Sequence, residues 1–304
     1  MRRLLLFLIL FPAVCFAQYR PAARTNPDVS GKDAAGICFR GHRATESATT
    51  AGYCAEATAL FARMTVAPST ARKVIIDSLI IQLKSAGFWT RLDNLQVYAC
   101  HDETAAYLNW IADDDNATEV DVLTFTEDVG LTCTANAYIN TGFNPSSDGV
   151  NYTQNAASWG YVCQTTGTDA GGSNGVVVGG SYLYNVPWHG TASHMSVNYG
   201  SFDGATSAIS SCKHYYIGTR SDASNNDLYV DKGIHVNKNT STSTAPPNGD
   251  VFIGGYNNGS SRGEPNTYQY SLFFAGDKFS TSEVSDLIDI FEWYLDKLGC
   301  GLLP

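Results

Sequence analysis

Residues 215–238 read YYIGTRSDASNNDLYVDKGIHVNK, and this stretch decides the fold of the C-terminal half of the chain. The segments 215–220 and 228–236 are rich in β-branched and aromatic residues, which favour strands. The polar stretch 221–227 and the triplet DKG at 231–233 carry the residues that tight turns need. The segment therefore predicts short antiparallel strands joined by hairpins.

The same alternation of strand and turn signals runs from about residue 129 to residue 276. Turn sequences such as Asn144-Pro145 and Asp203-Gly204 separate the apolar segments, and no helical pattern lies between them. The candidate strands are 137–144, 158–164, 175–180, 193–199, 215–220, 228–236, 251–254 and 268–276. Many short strands with regular turns predict a mainly β fold, an antiparallel sandwich.

Helical signals frame this β region. Residues 61–128 predict a small α-rich unit, with one helix that opens at Pro68-Ser69-Thr70 and ends at Gly87 and a second that Asp102 caps. At the other end, Ser280 and Glu283 have the spacing of a capping box, and Gly299 ends the apolar stripe that follows. We therefore expect a C-terminal helix within the sandwich unit, 129–304.

The N-terminus has the pattern of a secretory signal peptide, residues 1–17. Two arginines precede an apolar run at 4–11, and the cleavage site falls before Gln18. Residues 18–60 are polar and lack periodicity, which predicts an extended leader. The rest of the chain has no run near the roughly 18 apolar residues that a membrane helix needs.

The net charge of the chain indicates which partners it can bind. The net charge of the chain is −10, and loss of the two arginines with the signal peptide makes it −12. Such a protein repels phosphate backbones, so nucleic acid is not an expected partner.

In an oxidising compartment the cysteines tend to pair, and Cys38 with Cys54 would close a short loop. The alternative is that the cysteines are buried small hydrophobic residues.

Several short motifs, taken in order, resemble one known group of proteins. They are AGFW at 86–89, LNW at 108–110, YINTGFNP at 138–145, IGTRS at 217–221 and FFAG at 273–276. In this order, with the Ser280 helix after them, they are similar to laminin-G-like domains of phage tail or virion proteins and of bacterial surface proteins. The similarity spans roughly residues 61–300. It implies a concanavalin A-like jelly roll and leaves the activity open, because that sandwich serves lectins, adhesins, hydrolases and structural parts.

Catalytic patterns are weak in this sequence. Glu119-Val120-Asp121 begins like the three-carboxylate strand motif of hydrolases with this fold, but Leu123 and Thr124 stand at its third position. Glu264 is the only glutamate between Glu127 and Glu283, whereas glycoside hydrolysis needs paired carboxyls. The sequence therefore predicts that the protein is not an enzyme, with a glycan-active enzyme as an alternative.

Two aromatic and amide-rich stretches are candidate ligand-binding residues, because aromatic faces stack on sugars and amides read hydroxyl groups. They are Tyr182, Tyr184, Trp188 and His189 in the first stretch and Tyr256, Asn257 and Asn258 in the second. The alternatives are strand packing for the first stretch and a plain hairpin turn for the second. Calcium is a candidate cofactor at 221–227, although that stretch lacks a defined loop pattern and also suits a hairpin tip. No other metal site is expected.

The sequence as a whole predicts an extracellular or cell-surface recognition or adhesion module that binds a glycan or a surface protein. The alternative in another class is a structural subunit of an appendage or virion, which would form homo-oligomers.

Overall fold

The computed structural model describes residues 52–167, 172–189, 192–202 and 204–304. Four helices lie in these residues, none of them long and apolar enough to cross a membrane. They are α1 (Ala55–Arg63), α2 (Thr70–Ser85), α3 (Glu103–Ala106) and α4 (Thr281–Leu298). The seventeen strands of the described residues form two β-sheets.

The first sheet has eight strands among the described residues and is centred on the strand β17, Gln269–Gly276. One edge of β17 pairs with β6, and the other edge pairs with both β1 and β4; all of these pairs are antiparallel. The order across the sheet is β13 (Ile234–Lys238), β12 (Asn226–Val230), β11 (Tyr215–Arg220), β6 (Ala157–Cys163), β17, β4 (Gly130–Thr132) and β3 (Thr124–Thr126), with β1 (Leu92–Val97) off this path.

The second sheet has nine strands in the described part of the chain and is also mainly antiparallel. Its order is β10 (Ala205–Ala208), β9 (Ala192–Tyr199), β8 (Ser181–His189), β7 (Asn174–Val178), β14 (Phe252–Ile253), β5 (Tyr138–Asn140) and β2 (Thr118–Val120). A short hairpin of β15 (Tyr256–Asn257) and β16 (Arg262–Gly263) joins it, because β15 runs parallel to β7. Two antiparallel sheets and a C-terminal helix confirm the predicted mainly β sandwich.

The helix α4 packs on the first sheet and on α2. The Phe291 ring on α4 lies 5.8 Å from the Phe274 ring on β17, and the hydroxyl of Tyr294 donates a hydrogen bond of 3.0 Å to the carbonyl of Ala99. The capping box of Ser280 and Glu283 forms as predicted, and Gly299 ends the helix in the left-handed region at φ 81°.

A buried polar cluster joins the two sheets. Asn174 on β7 lies directly opposite Asn185 on β8, and both side chains are fully buried. Asn185 accepts a hydrogen bond from the Tyr161 hydroxyl of the first sheet, and its amide nitrogen donates to the carbonyl of His194 at 2.6 Å. Asn174 accepts from the Tyr270 hydroxyl of the first sheet at 3.0 Å. Because a buried amide without partners costs about 1–3 kcal/mol, these bonds define which faces of β7 and β8 point inward.

Residues 61–128, predicted as a small α-rich unit, also contain strands of both sheets. The segment 61–128 supplies β1 and β3 to the first sheet and β2 to the second, so its backbone hydrogen bonds are shared with 129–304. The alternation of Leu95, Val97 and Ala99 indicated a short strand where β1 lies, but periodicity missed β2 and β3, which have only three residues each. The helix α1 begins at Ala55, inside the range predicted as an extended leader.

The predictions for the N-terminal end fall largely outside the described residues. Residues 1–17 and Cys38 lie there, so the signal peptide and the Cys38–Cys54 disulfide stay predictions. Cys54 forms no disulfide with another described cysteine, and its backbone N–H donates a hydrogen bond to the carboxylate of Asp77 at 2.7 Å.

The loop carboxyl of Asp115 generates a pH-dependent prediction. Burial, followed by the nearby Asp148, Asp114 and Asp250, raises the pKa of Asp115 from 3.8 to about 6. A carboxyl whose pKa is raised in the folded state lowers the free energy of unfolding as the pH rises from about 4 to 6. Over this range ionisation favours the unfolded chain, in which the carboxyl gives up its proton more readily. We expect Asp115→Asn to be more stable than the wild type above pH 6 and equal to it below about pH 4.

The measurement is urea unfolding of both proteins across this pH range. Asp121→Asn is the matched control, because Asp121 also has a positive φ, 61° against 45° for Asp115, and Asn suits that conformation equally. An advantage of Asp115→Asn that is the same at all pH values, or that the control also shows, would contradict the assignment.

Candidate functional site: a tyrosine cavity on the second sheet

The outer face of the second sheet carries a row of aromatic side chains from β8. Successive residues of a strand point to opposite faces, so the inward Leu183 and Asn185 leave Tyr182, Tyr184 and Val186 on the outer face. The strand itself was not among the predicted ones, although its tyrosines were candidate ligand-binding residues.

Gly175 lets β7 lie close against the backbone of β8 beside these rings. It lies on β7 between its two neighbours, opposite Tyr184 on β8 and beside Tyr256 on β15. At φ 124° it has a conformation that L side chains rarely adopt, and an added Cβ would lie 2.0 Å from the carbonyl oxygen of Leu183. The rings of Tyr184 and Tyr256, on the strands that flank β7, lie 5.4 Å apart between centroids.

Together these side chains form a cavity of about 270 Å³, which we call the tyrosine cavity. The Tyr182 and Tyr184 rings are 6.2 Å apart and nearly perpendicular, so they form two different walls. Phe202, which is 50% exposed, lies at the rim with its ring 6.3 Å from that of His194. The lining residues are Val177, Tyr182, Tyr184, Val186, His194, Phe202, Tyr256 and Glu264.

Glu264 is the single carboxylate among the described residues that line the cavity. Its side chain accepts a hydrogen bond from the hydroxyl of Tyr184, while the residue itself stays exposed to solvent. Its carbonyl accepts a bond of 3.1 Å from the N–H of Ser173, and its φ is 44°, a left-handed conformation that is uncommon for a glutamate. An uncommon backbone conformation persists only where surrounding contacts hold it. These contacts therefore keep the Glu264 carboxylate at the cavity wall.

The pKa values of the Tyr184 and Tyr256 hydroxyls are raised, so both stay protonated at neutral pH. Burial, and then the Glu264 carboxylate, raise the pKa of Tyr184 well above its ordinary value. Burial and Glu264 also raise the pKa of Tyr256. The cavity therefore offers hydroxyl groups that donate and accept hydrogen bonds, one carboxylate, and aromatic surface.

The structure brings three of the predicted ligand-binding residues together: Tyr182, Tyr184 and Tyr256. Trp188 lies beyond an irregularity of register in β8, is half buried against the core and does not line the cavity. The backbone of His189 ends β8, and its side chain lies outside the described part of the structure.

The amides of Asn257 and Asn258 serve the β15–β16 turn instead of the cavity. Asn257 accepts a hydrogen bond of 2.8 Å from the N–H of Gly259, and Asn258 accepts one of the same length from the N–H of Ser261. Their local bonds match the hairpin alternative.

Sequence reasoning missed Glu264, Phe202 and His194 as site residues. His194 lies on β9 and Phe202 follows β9, and the pairing of His194 with Val186 depends on the register of β8 and β9, which shifts between Val186 and His189. The sequence shows that Glu264 is the only glutamate between Glu127 and Glu283, which argues against a paired-carboxylate enzyme. It does not show that this carboxylate lies beside the tyrosines.

Other features of the surface are weaker candidates. A larger cleft of about 730 Å³ lies between α4 and the β12–β13 turn, but several of its charged groups already have partners: Lys232 binds Asp289, and Glu292 accepts from the Tyr215 hydroxyl at 2.6 Å. Glu119 is exposed on β2 and does not line the tyrosine cavity.

The predicted calcium stretch forms a compact polar turn. The Asp222 carboxylate accepts hydrogen bonds from the N–H groups of Ser224 and Asn225, at 2.7 and 2.9 Å. Within the described residues, no group of three or more His, Cys, Asp or Glu side chains is arranged to hold a metal ion.

Comparison with protein-family models and with curated proteins finds no match. Among solved structures, domain 4 of AbnA, an extracellular arabinanase from Geobacillus stearothermophilus in complex with arabinotriose, is 11% identical, with a TM-score of 0.41 over 64% of this chain and 98% of that one. The binding domain of botulinum neurotoxin serotype D is 8% identical, with a TM-score of 0.44 over 64% and 51%.

A third structure, Trypanosoma rangeli sialidase, is 12% identical, with a TM-score of 0.41 over 77% of this chain and 40% of that one. These are distant likenesses, and at this level they say nothing about a ligand or an activity.

The close contact of Gly263 with the Tyr256 ring generates a prediction about the cavity wall. A Cβ at position 263 would lie 2.4 Å from a ring atom of Tyr256. We expect Gly263→Ala to displace this ring and to destabilise the protein by about 1–3 kcal/mol, the usual cost of overpacking. Thermal unfolding and the NMR shifts of the Tyr256 ring measure the two effects.

Gly233→Ala is the matched control, because an added Cβ at position 233 meets no atom within 4 Å. We expect this variant to match the wild type within about 0.5 kcal/mol. Equal behaviour of the two variants would contradict the packing of Tyr256 on Gly263.

Proposed function

We propose that the protein is an exported recognition module that binds a surface glycan in the tyrosine cavity and does not cleave it. The observation that carries the proposal is the combination of three tyrosine rings, a half-exposed Phe202 and one accessible carboxylate in a single cavity. Ligand sites are mostly apolar with a few placed polar groups, and sugars present C–H surface to aromatic faces.

The polar groups of the cavity suit hydroxyl recognition. The Glu264 carboxylate is exposed and takes one hydrogen bond, from Tyr184, so it has capacity to accept more from sugar hydroxyls. The volume of about 270 Å³ is near the lower end of small-molecule sites, about 300 Å³, and suits a single sugar unit of a larger glycan.

The carboxyl content of the cavity supports binding without catalysis. Glycoside hydrolysis ordinarily needs two carboxyls about 5–9.5 Å apart, and among the described residues the cavity lining holds one, Glu264. A tyrosine nucleophile activated by an adjacent carboxylate is an exception to that rule, and Tyr184 beside Glu264 has this arrangement, so a glycan-active enzyme is the alternative function.

The proposal extends to the kind of sandwich and to its location. The motifs over roughly 61–300 support a laminin-G-like, concanavalin A-like jelly roll, and the pattern at 1–17 supports an extracellular or cell-surface protein. A second candidate function is a structural subunit of an appendage or virion. It is favoured by Val74 and Ile81, which are seven residues apart on α2 and are 52% and 45% exposed, as in a helix face that packs on another subunit.

A glycan array tests the proposal with the mature chain, residues 18–304, in calcium and in chelator. We expect saturable binding to one class of glycan that weakens about two- to tenfold in Phe202→Ala and in Tyr256→Ala, because an aromatic contact contributes about 0.5–1.5 kcal/mol. Val122→Ala, which removes a 75% exposed apolar side chain away from the cavity lining, is the matched control and should bind like the wild type.

Binding that all three variants retain would contradict the placement of the site. No binding in either buffer would contradict a glycan-binding function and favour the structural subunit.

A further inference from the structure

Glu264 has no cationic partner in the part of the chain that the structure describes. The ion pairs there join other residues, for example Arg91 with Asp277 at 3.0 Å and Lys84 with Glu56 at 2.6 Å. None of the described residues that line the tyrosine cavity is a lysine or an arginine. The carboxylate of Glu264 therefore faces the cavity with its negative charge unpaired, in a protein whose net charge is already −10.

The aromatic faces of the cavity also lack a cation. Elsewhere in the described structure, five rings have a lysine or arginine of the chain over them, such as Lys73 over Phe61 at 5.5 Å and Lys238 over Tyr199 at 5.2 Å. The rings that line the cavity have none among those contacts. A cation within about 6 Å of such a ring gains about 0.5–2 kcal/mol, more when several rings surround it.

We propose that the ligand presents a positively charged ammonium group to the cavity, between the tyrosine rings and the carboxylate of Glu264, and that in the glycan this group is the free amine of an unacetylated amino sugar. This inference rests on the proposed function and names the chemical class of its ligand. The rings supply the cation–π contacts, and Glu264 accepts a charge-assisted hydrogen bond at about 2.7–2.9 Å.

The same arrangement selects against acidic sugars. A carboxylate or sulfate on the ligand would bring a second negative charge beside Glu264, and no lysine or arginine among the described lining residues offsets it. Like charges brought together cost binding energy. A neutral hydroxyl can bond to Glu264 but gains neither the charge attraction nor the cation–π contacts. The cavity therefore discriminates by charge.

Isothermal titration calorimetry with three probes tests the inference on the mature chain, in mildly acidic buffer at low salt. The probes are the chitosan tetramer, the chitin tetramer, which has the same backbone with its amines acetylated, and choline chloride, which carries an ammonium group without a sugar. We expect the chitosan tetramer to bind at least about tenfold more tightly than the chitin tetramer, because a hydrogen bond to a charged group contributes about 1.5–3 kcal/mol.

Glu264→Gln separates the effect of charge from that of the acetyl group. The exposed amide keeps an oxygen for the Tyr184 hydroxyl, so we expect normal folding, about tenfold weaker binding of the chitosan tetramer and a smaller loss of binding for the chitin tetramer, which offers this position only neutral groups. Glu119→Gln is the matched control, because Glu119 is also exposed and accepts from a tyrosine hydroxyl, that of Tyr107 at 3.4 Å, away from the cavity.

The outcomes distinguish the inference from the proposed function. Equal affinity for the two tetramers, or a preference that Glu264→Gln retains, would overturn the ammonium site while leaving glycan binding intact. Choline binding that Glu264→Gln abolishes, without binding of either tetramer, would support the ammonium site and contradict the glycan. If none of the probes binds, the ammonium site is overturned.

Discussion

The buried pair of Asn174 and Asn185 is the constraint on which the functional face depends. Each amide is fixed from the opposite sheet by a tyrosine hydroxyl, Tyr270 for the first and Tyr161 for the second. A slip of β8 by one residue would move Asn185 to solvent, leave Tyr161 without this partner inside a dry core and turn the outward tyrosines inward. The interior hydrogen bonds thus hold the external cavity in place.

Fold and site are connected through the same pair of strands. The residue after the inward Asn174 is Gly175, whose missing side chain lets β7 lie against the Leu183 carbonyl of β8, between the strands that carry Tyr184 and Tyr256. Glu264 directly follows β16 of the β15–β16 hairpin, where Gly263 lets the Tyr256 ring lie against the backbone. Asn174, Gly175 and Gly263 are not among the residues that line the cavity, yet they set the positions of those that are.

The sequence predicted the class of fold and the elements with strong local signals. The α4 helix carries its own start and stop in Ser280, Glu283 and Gly299, and β6 and β11 are recognisable runs of aromatic and β-branched residues. Three-residue strands such as β2 carry too little periodicity to be found locally. The sharing of both sheets by the segment 61–128 is a property of long-range pairing, which no local pattern encodes.

The site was predictable only in its aromatic part. Tyr182, Tyr184 and Tyr256 were found by residue type, whereas their convergence depends on the parallel pairing of β15 with β7, which joins residues about 80 positions apart.

A crystal structure of the mature protein with a glycan from the array tests the location of the site most directly. The account predicts a sugar against the tyrosine rings with a polar atom about 2.7–3.2 Å from the Glu264 carboxylate. A glycan bound on another surface, with the tyrosine cavity unfilled, would contradict it.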